Sequence, residues 1–294
     1  MLTLKSSDSK ILILGKQNKG EQVMATLLKV DKVEKDLSKE TDAQIMERIG
    51  ERFNILTEMT KAVITNDVRA MIVSGPPGVG KSFNVESLLE KENLFDQIQN
   101  RKPKYELVKG TASALGLYCT LFEHSERGHV IVFDDCDSIL MDELSLNILK
   151  GALDSGKSRR ISWKADSHKL RSEGVPNSFT FNGSVIFITN LKFEAIRGKV
   201  KDHLAAIQSR CHYLDLTLDT EREKMLRIKQ IAETGELFER YNFTKDLEER
   251  ILSFMDENST KLREISLRMA VKIADLVKVN PDTWQKLARC TVMK

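Results

Sequence analysis

The stretch GPPGVGKS spans residues 75–82, and its Gly75, Gly80, Lys81 and Ser82 fit the spacing G-x-x-x-x-G-K-[S/T]. That combination suits the binding of a polyphosphate. Glycines lack the Cβ that would clash at positive φ, so the backbone can come close to an anion. A helix beginning at the end of the loop offers its free N–H groups to the same anion. Lys81 is expected to bridge the β- and γ-phosphates, and the Ser82 hydroxyl to ligate Mg²⁺. Pro76, Pro77, Gly78 and Val79 complete the cradle between the two glycines. The expected ligands are therefore ATP and Mg²⁺.

Two further polar positions stand where apolar runs end. HVIVFDDCD places Asp134 and Asp135 at the exit of a strand-like segment. One carboxylate there holds the metal and its neighbour orients or deprotonates an attacking water. We assign Asp134 to Mg²⁺ and Asp135 to the water. SVIFITN ends another apolar run in Thr189 and Asn190. An asparagine at the C-terminal end of a central strand lies on the edge where open α/β sheets bind ligands. Asn190 is expected to sense the γ-phosphate and fix the water.

Positioning these groups needs a sheet with its strand ends aligned. Strand-like runs fall at 70–74, 104–109, 129–133, 184–189 and 213–217, with helical patterns between them. Such alternation predicts a parallel sheet covered by helices on both faces. VIVF and VIFI lack polar alternation, as central parallel strands do. Ahead of the first strand, Ile45, Ile49, Phe53, Leu56, Met59 and Val63 recur at spacings of three and four, a helix that Asn66 and Asp67 end. Beyond Leu218 the texture is helical only. Thr220 and Thr244 are expected caps, a third helix covers SLRMAVKIADLVK, and a last one follows Asn280 and Pro281. The expected organisation is an extension or small adaptor at 1–42 with a short strand-like ILIL at 11–14, an α/β core at 43–218 and a helical lid at 219–294.

Composition narrows the setting. The chain has 294 residues, 41% apolar and 30% charged, with a net charge of +3. No global field demands a nucleic-acid or membrane partner, so any basic surface must be local. The cysteines at 119, 136, 211 and 290 show no C-x-x-C spacing, which reads as reduced cytosolic thiols. No apolar stretch approaches the ~18 residues of a membrane span. The expectation is a soluble, cytoplasmic protein.

With these motifs in hand, the chain resembles the AAA+ ATPases over about residues 43–290. GPPGVGKS matches that family's Walker A, VIVFDDCD its Walker B and Asn190 its sensor 1. AAIQSRC at 205–211 resembles the arginine-finger segment, which implies a catalytic role for Arg210 in a neighbouring subunit. ISLR at 265–268 resembles the opening of the sensor 2 helix, which implies that Arg268 contacts nucleotide, with Arg263 as the near alternative. The pair Asp134–Asp135 departs from the family's usual Asp-Glu. The shorter side chain draws the carboxylate back by about 1.5 Å. A finger acting in trans implies a head-to-tail assembly that closes into a ring or winds into a helix, and the family's habit implies a hexamer.

Two segments are candidates for touching a macromolecular substrate. GTASALGLYCTLFEH carries Leu117 and Tyr118 where AAA+ unfoldases have an aromatic pore loop. The spacing of Leu115, Tyr118, Leu121 and Phe122 also reads as a buried helix face, the preferred reading. SGKSRRISWKADSHKLR gathers Lys157, Arg159, Arg160, Lys164, Lys169 and Arg171 around Trp163. That suits a phosphate track with base stacking, and it suits a merely solvated hairpin equally well. The segment is also similar in outline to viral superfamily 3 helicases, while the whole most resembles compact AAA+ proteins carried by bacteriophages. The resemblance implies an ATPase that remodels a macromolecule, nucleic-acid associated. A helicase or translocase, or a nucleotide-dependent scaffold, is the alternative.

Overall fold

The computed structural model describes residues 40–294; the strand-like ILIL at 11–14 and the rest of the expected extension lie outside the described residues. Thr41 opens the first helix, α1 (Asp42–Ile64), through a capping box. Its hydroxyl accepts from the Gln44 amide while the Gln44 side chain accepts from the Thr41 N–H. The expected apolar stripe is buried except for Met59, which is half-buried; Thr60 is buried in the same turn and donates its hydroxyl to the Leu56 carbonyl. Left-handed Asn66 (φ 63°) follows the helix end.

The chain then alternates as the pattern predicts. β1 (Ala70–Ser74) leads through the glycine loop into α2 (Lys81–Ile98), and β2 (Tyr105–Lys109) into α3 (Ala114–Glu123). β3 (Val130–Asp134) is followed by α4 (Asp137–Met141) and α5 (Glu143–Ala152). Short pieces come next: β4 (Arg160–Ser162), α6 (His168–Ser172) and β5 (Ser178–Thr180). β6 (Ser184–Thr189), α7 (Lys199–Gln208) and β7 (His212–Asp215) complete the α/β part. Four helices end the chain: α8 (Glu221–Glu233), α9 (Lys245–Glu257), α10 (Leu267–Val279) and α11 (Trp284–Thr291). Thr220 caps α8 with a second capping box. Thr244 precedes α9 but makes no side-chain cap bond.

The main sheet has five parallel strands in the order β2-β3-β6-β1-β7. β1, β3 and β6 are buried along their whole length, which is why their sequences show no polar alternation. Alternate residues serve opposite faces. Ala70 and Ile72 join a cluster with residues of α3, α5 and α7, whereas Met71 and Val73 join one with α1 and α2. The terminal helices bury a third cluster, in which Trp284 meets Phe254 edge-on at 5.1 Å. The fold is thus an α/β P-loop fold, a five-stranded parallel sheet with helices on both faces, followed by a helical lid. No helix among the described residues is long and apolar enough to cross a membrane, and the four cysteines are free thiols.

Between β3 and β6 the chain makes a separate antiparallel hairpin, β4 with β5. α3 holds it down. Tyr118 is fully buried, donates its hydroxyl to the Pro176 carbonyl at 2.9 Å, and packs its ring 5.1 Å from Phe179 and 5.7 Å from Trp163. Leu117 is fully buried too. This segment is therefore a core helix face, and its aromatic grips the protein's own hairpin.

Candidate functional site

Register brings the polar strand ends to one edge. Ser74 is level with Thr189 and with Asp215, and Lys109 is level with Asp134. β1 lies beside β6 while the chain from β1 passes to the far edge at β2, so the strand order changes direction here and leaves a crevice above the carboxyl ends. The glycine loop, the two aspartates and Asn190 all sit on this crevice.

The loop is shaped by its glycines. Gly78 and Gly80 hold φ of 70° and 99°, in the region that L side chains rarely adopt. A Cβ on Gly78 would come within 2.7 Å of the Ser266 Cβ. The lid reaches the loop here: Leu267 N–H donates to the Gly78 carbonyl at 2.8 Å. Ser266 in turn caps α10, accepting from Met269 N–H.

Lys81 opens α2 and is buried, with only 5% of its surface exposed. Its ammonium donates to the carbonyls of Gly75 (2.6 Å) and Pro76 (2.8 Å) and to Asn190 Oδ1 (2.8 Å). Burial pushes it down to about 8, against the opposing pull of Asp135 and Asp134 and with the help of Arg268. Asn190 Nδ2 donates onward to Asp135 Oδ1 at 2.8 Å. Asp135 lies in the left-handed region (φ 50°), although its N–H still donates to the Ile188 carbonyl and so continues the ladder between β3 and β6. The turn brings its exposed carboxylate to Asn190. The sheet edge thus carries one continuous set of bonds, Lys81 to Asn190 to Asp135.

A second set adjoins it. Ser82 Oγ donates to Asp134 Oδ1 at 2.8 Å. Burial pushes the Asp134 carboxyl up from the ordinary carboxylate value, and the Ser82 bond works the other way. Lys109 stands 3.8 Å from the other oxygen of Asp134 and pairs with Glu86 at 2.7 Å. Glu86 is one turn beyond Ser82 on α2, so both share the face turned to β3. Sequence reading missed Lys109. The signal was its place at the end of YELVK, in register with Asp134.

The arginines fall in different surroundings. Arg268 is exposed on the first turn of α10, near enough to Lys81 to depress its basicity. Arg263 instead donates to the Met293 carbonyl at 3.1 Å and is tied to the C-terminal segment. Arg210 is exposed just past α7, donates to the Ala206 carbonyl at 2.7 Å and makes no ion pair among the described residues. Of the basic cluster, Arg159 is buried, bonded to the Ala152 carbonyl and stacked over Phe181. Arg171 pairs with Asp166 and Lys169 with Glu173. Lys157, Arg160 and Lys164 remain exposed on the hairpin and its flanks, and Trp163 packs against Tyr118.

The donor set suits a magnesium polyphosphate. Loop backbone and a buried ammonium face one way, and a hydroxyl with two carboxylates lines the sheet edge. Strand order, glycine loop and the helices that follow together define an α/β P-loop fold. The chain belongs to the same family as the uncharacterized 36.7 kDa protein in the nrdC-mobD intergenic region of Enterobacteria phage T4. The two are 32% identical over 285 residues, covering 96% of this chain and 86% of the relative. No family model matches the chain. Among solved structures, domain III of the Thermotoga maritima replication initiation protein DnaA aligns at 12% identity with a TM-score of 0.43, over 79% of this chain and 83% of the other. The ADP form of the Aeropyrum pernix ORC2 protein aligns at 12% identity with a TM-score of 0.46, over 83% of this chain and 68% of the other.

Proposed function

We propose that this chain is a Mg²⁺-dependent ATP hydrolase that works as a homo-oligomeric ring, with a hexamer as the expected form, and remodels a macromolecule, nucleic acid being the partner its hairpin suits. The observation that carries the reading is the pair of bonded sets on one sheet edge, Lys81–Asn190–Asp135 and Ser82–Asp134.

The roles follow from the groups. Residues Gly75 to Ser82 cradle the phosphates with backbone N–H groups and the start of α2. Lys81 exchanges its carbonyl partners for phosphate oxygens and neutralises their charge. Ser82 and Asp134 hold the metal. Mg²⁺, when bound, supplies charge neutralisation across the phosphoryl groups. Asp135 accepts the proton of the attacking water, and Asn190 holds that carboxylate and the water in line. The left-handed backbone at Asp135 aims the short side chain at Asn190, which supports a working base despite the missing methylene. Arg268 reaches the site from the lid. Arg210, exposed and free of a counter-ion among the described residues, is suited to a neighbouring subunit's site. Lys157, Arg160 and Lys164 offer the hairpin to a phosphate backbone. A bacteriophage origin and action in the host cytoplasm fit the phage relative.

The test is ATP turnover with a Mg²⁺ titration, for the wild type and Asp135→Asn. The variant should bind ATP and lose turnover by about 100-fold or more, the usual contribution of a general base. Equal turnover in the two proteins would refute the base. Adding single- or double-stranded DNA should raise wild-type turnover, with the stimulation falling as salt rises. Stimulation by unfolded protein alone would turn the substrate assignment to polypeptide.

A further inference from the structure

Arg227 is a charge inside the protein without a counter-charge. It stands on α8 between Leu226 and Ile228, with 7% of its surface exposed. Its Nη1 donates to Gln230 Oε1 at 2.7 Å. Its guanidinium lies over the Phe53 ring of α1, the central carbon 3.5 Å from the ring centroid. Nε is buried and has no hydrogen-bond partner. No carboxylate among the described residues pairs with it. Glu236 is the acidic group whose field reaches it, and burial outweighs that field, pushing the guanidinium down to about 10.

A buried charge without a counter-charge is costly, and the Gln230 bond and the Phe53 ring offset only part of that cost. A guanidinium kept in such a place therefore points to an anion that arrives from outside. Its surroundings say which. A Cβ on Gly80 would lie 4.0 Å from Arg227 Nη2 and 3.4 Å from the side chain of Leu267. Gly80 immediately precedes Lys81. The Nη2 end of Arg227 thus sits where α1, α8 and the first turn of α10 meet the phosphate loop.

We infer that Arg227 is a nucleotide-contacting residue: from α8 it donates to the phosphate chain of a nucleotide seated on the 75–82 loop, with Phe53 and Gln230 holding its plane. The inference rests on the reading of that loop as a nucleotide seat. It adds a contact on the α8 side, separate from Arg268 on α10. A bound nucleotide supplies the missing counter-charge, so ligand binding draws α8 and α1 onto the loop together.

The experiment is thermal unfolding of the wild type, Arg227→Met and Arg227→Lys, with and without ADP, together with ADP titration calorimetry. Arg227→Met should unfold at the wild-type temperature or above when no nucleotide is present. Its ADP-induced rise should fall to less than half, and its Kd for ADP should increase at least tenfold. Arg227→Lys, which keeps the charge and loses the fork, should recover part of the ADP-induced rise. An Arg227→Met protein that unfolds earlier without ligand and keeps the full ADP-induced rise would make Arg227 a packing residue and overturn the inference. If the Met variant does not fold, wild-type ADP affinity in Arg227→Lys with a lowered ligand-free unfolding temperature would overturn it equally. A wild type that ADP neither binds nor stabilises removes the nucleotide seat itself, an outcome distinct from loss of the Arg227 contact alone.

Discussion

At the scale of single residues, Lys81 works against its own charge. An unfolded lysine holds its proton to about 10.5, and this one to about 8. Protons therefore favour the unfolded state over the window between these values. The cost is complete below pH 8, shrinks as the pH rises from 8 to 10.5, and is gone above. At 1.36 kcal/mol per unit, the 2.5-unit difference is worth up to about 3 kcal/mol. Lys81→Met should accordingly raise the denaturation midpoint at pH 7 while abolishing ATP binding. The gap between variant and wild type should narrow as the pH approaches 10.5, as read by chemical denaturation at several pH values. A variant less stable than wild type at pH 7 would mean that the three hydrogen bonds outweigh the burial. Residues of this kind were legible in the sequence, because Gly75 to Ser82, Asp134–Asp135 and Asn190 are local words at strand ends. Lys109 and Arg227 were not. Lys109 acquires meaning only when β2 pairs with β3, and Arg227 only when α8 packs on α1, both contacts between distant parts of the chain.

Elements bring in the joint between loop and lid. Gly78 has φ 70° and would press a Cβ into Ser266, while Gly110, past the end of β2, has φ 96° and open space around it. Alanine at Gly110 pays only the left-handed backbone penalty, about 1–2 kcal/mol. Alanine at Gly78 carries that penalty and must also push α10 away from the loop. Gly78→Ala should lower the melting temperature more than Gly110→Ala and weaken ATP binding, which Gly110→Ala should leave unchanged. Equal effects on both would show that the lid contact is compliant. The long elements were readable from periodicity: the buried strands as unbroken apolar runs, α1 from its three-and-four spacing. The hairpin strands β4 and β5 have three residues each and α4 and α6 five, too short for any period to emerge. Tyr118 fitted both a pore loop and a core helix face because an aromatic on an apolar stripe looks the same in both. Trp163 and Phe179, which cover it, come from a hairpin the sequence did not delimit.

For the whole molecule, the question is association. Arg210 is exposed and holds a backbone carbonyl, with no acidic partner among the described residues. If it completes a neighbour's site, Arg210→Ala should bind ATP normally and turn over poorly. Mixed with Lys81→Ala, which is itself inactive, it should regain measurable activity, because Lys81→Ala subunits still donate Arg210 to intact pockets. Sedimentation velocity should show a larger species with ATP than without. A mixture as inactive as its parts would remove the in-trans role. One arrangement also has a mechanical side. Phe181, Asn182 and Gly183 are all that separate β5 from β6, and Arg159 rivets the hairpin base to the Ala152 carbonyl and the Phe181 ring. β6 is a fully buried rod of six residues, about 20 Å long at ~3.3 Å per residue, and Asn190 follows directly on its far end. Hairpin and sheet edge are thus joined through one buried strand and three connecting residues, so the place of the hairpin base and the place of the amide that holds Asp135 are set by the same element.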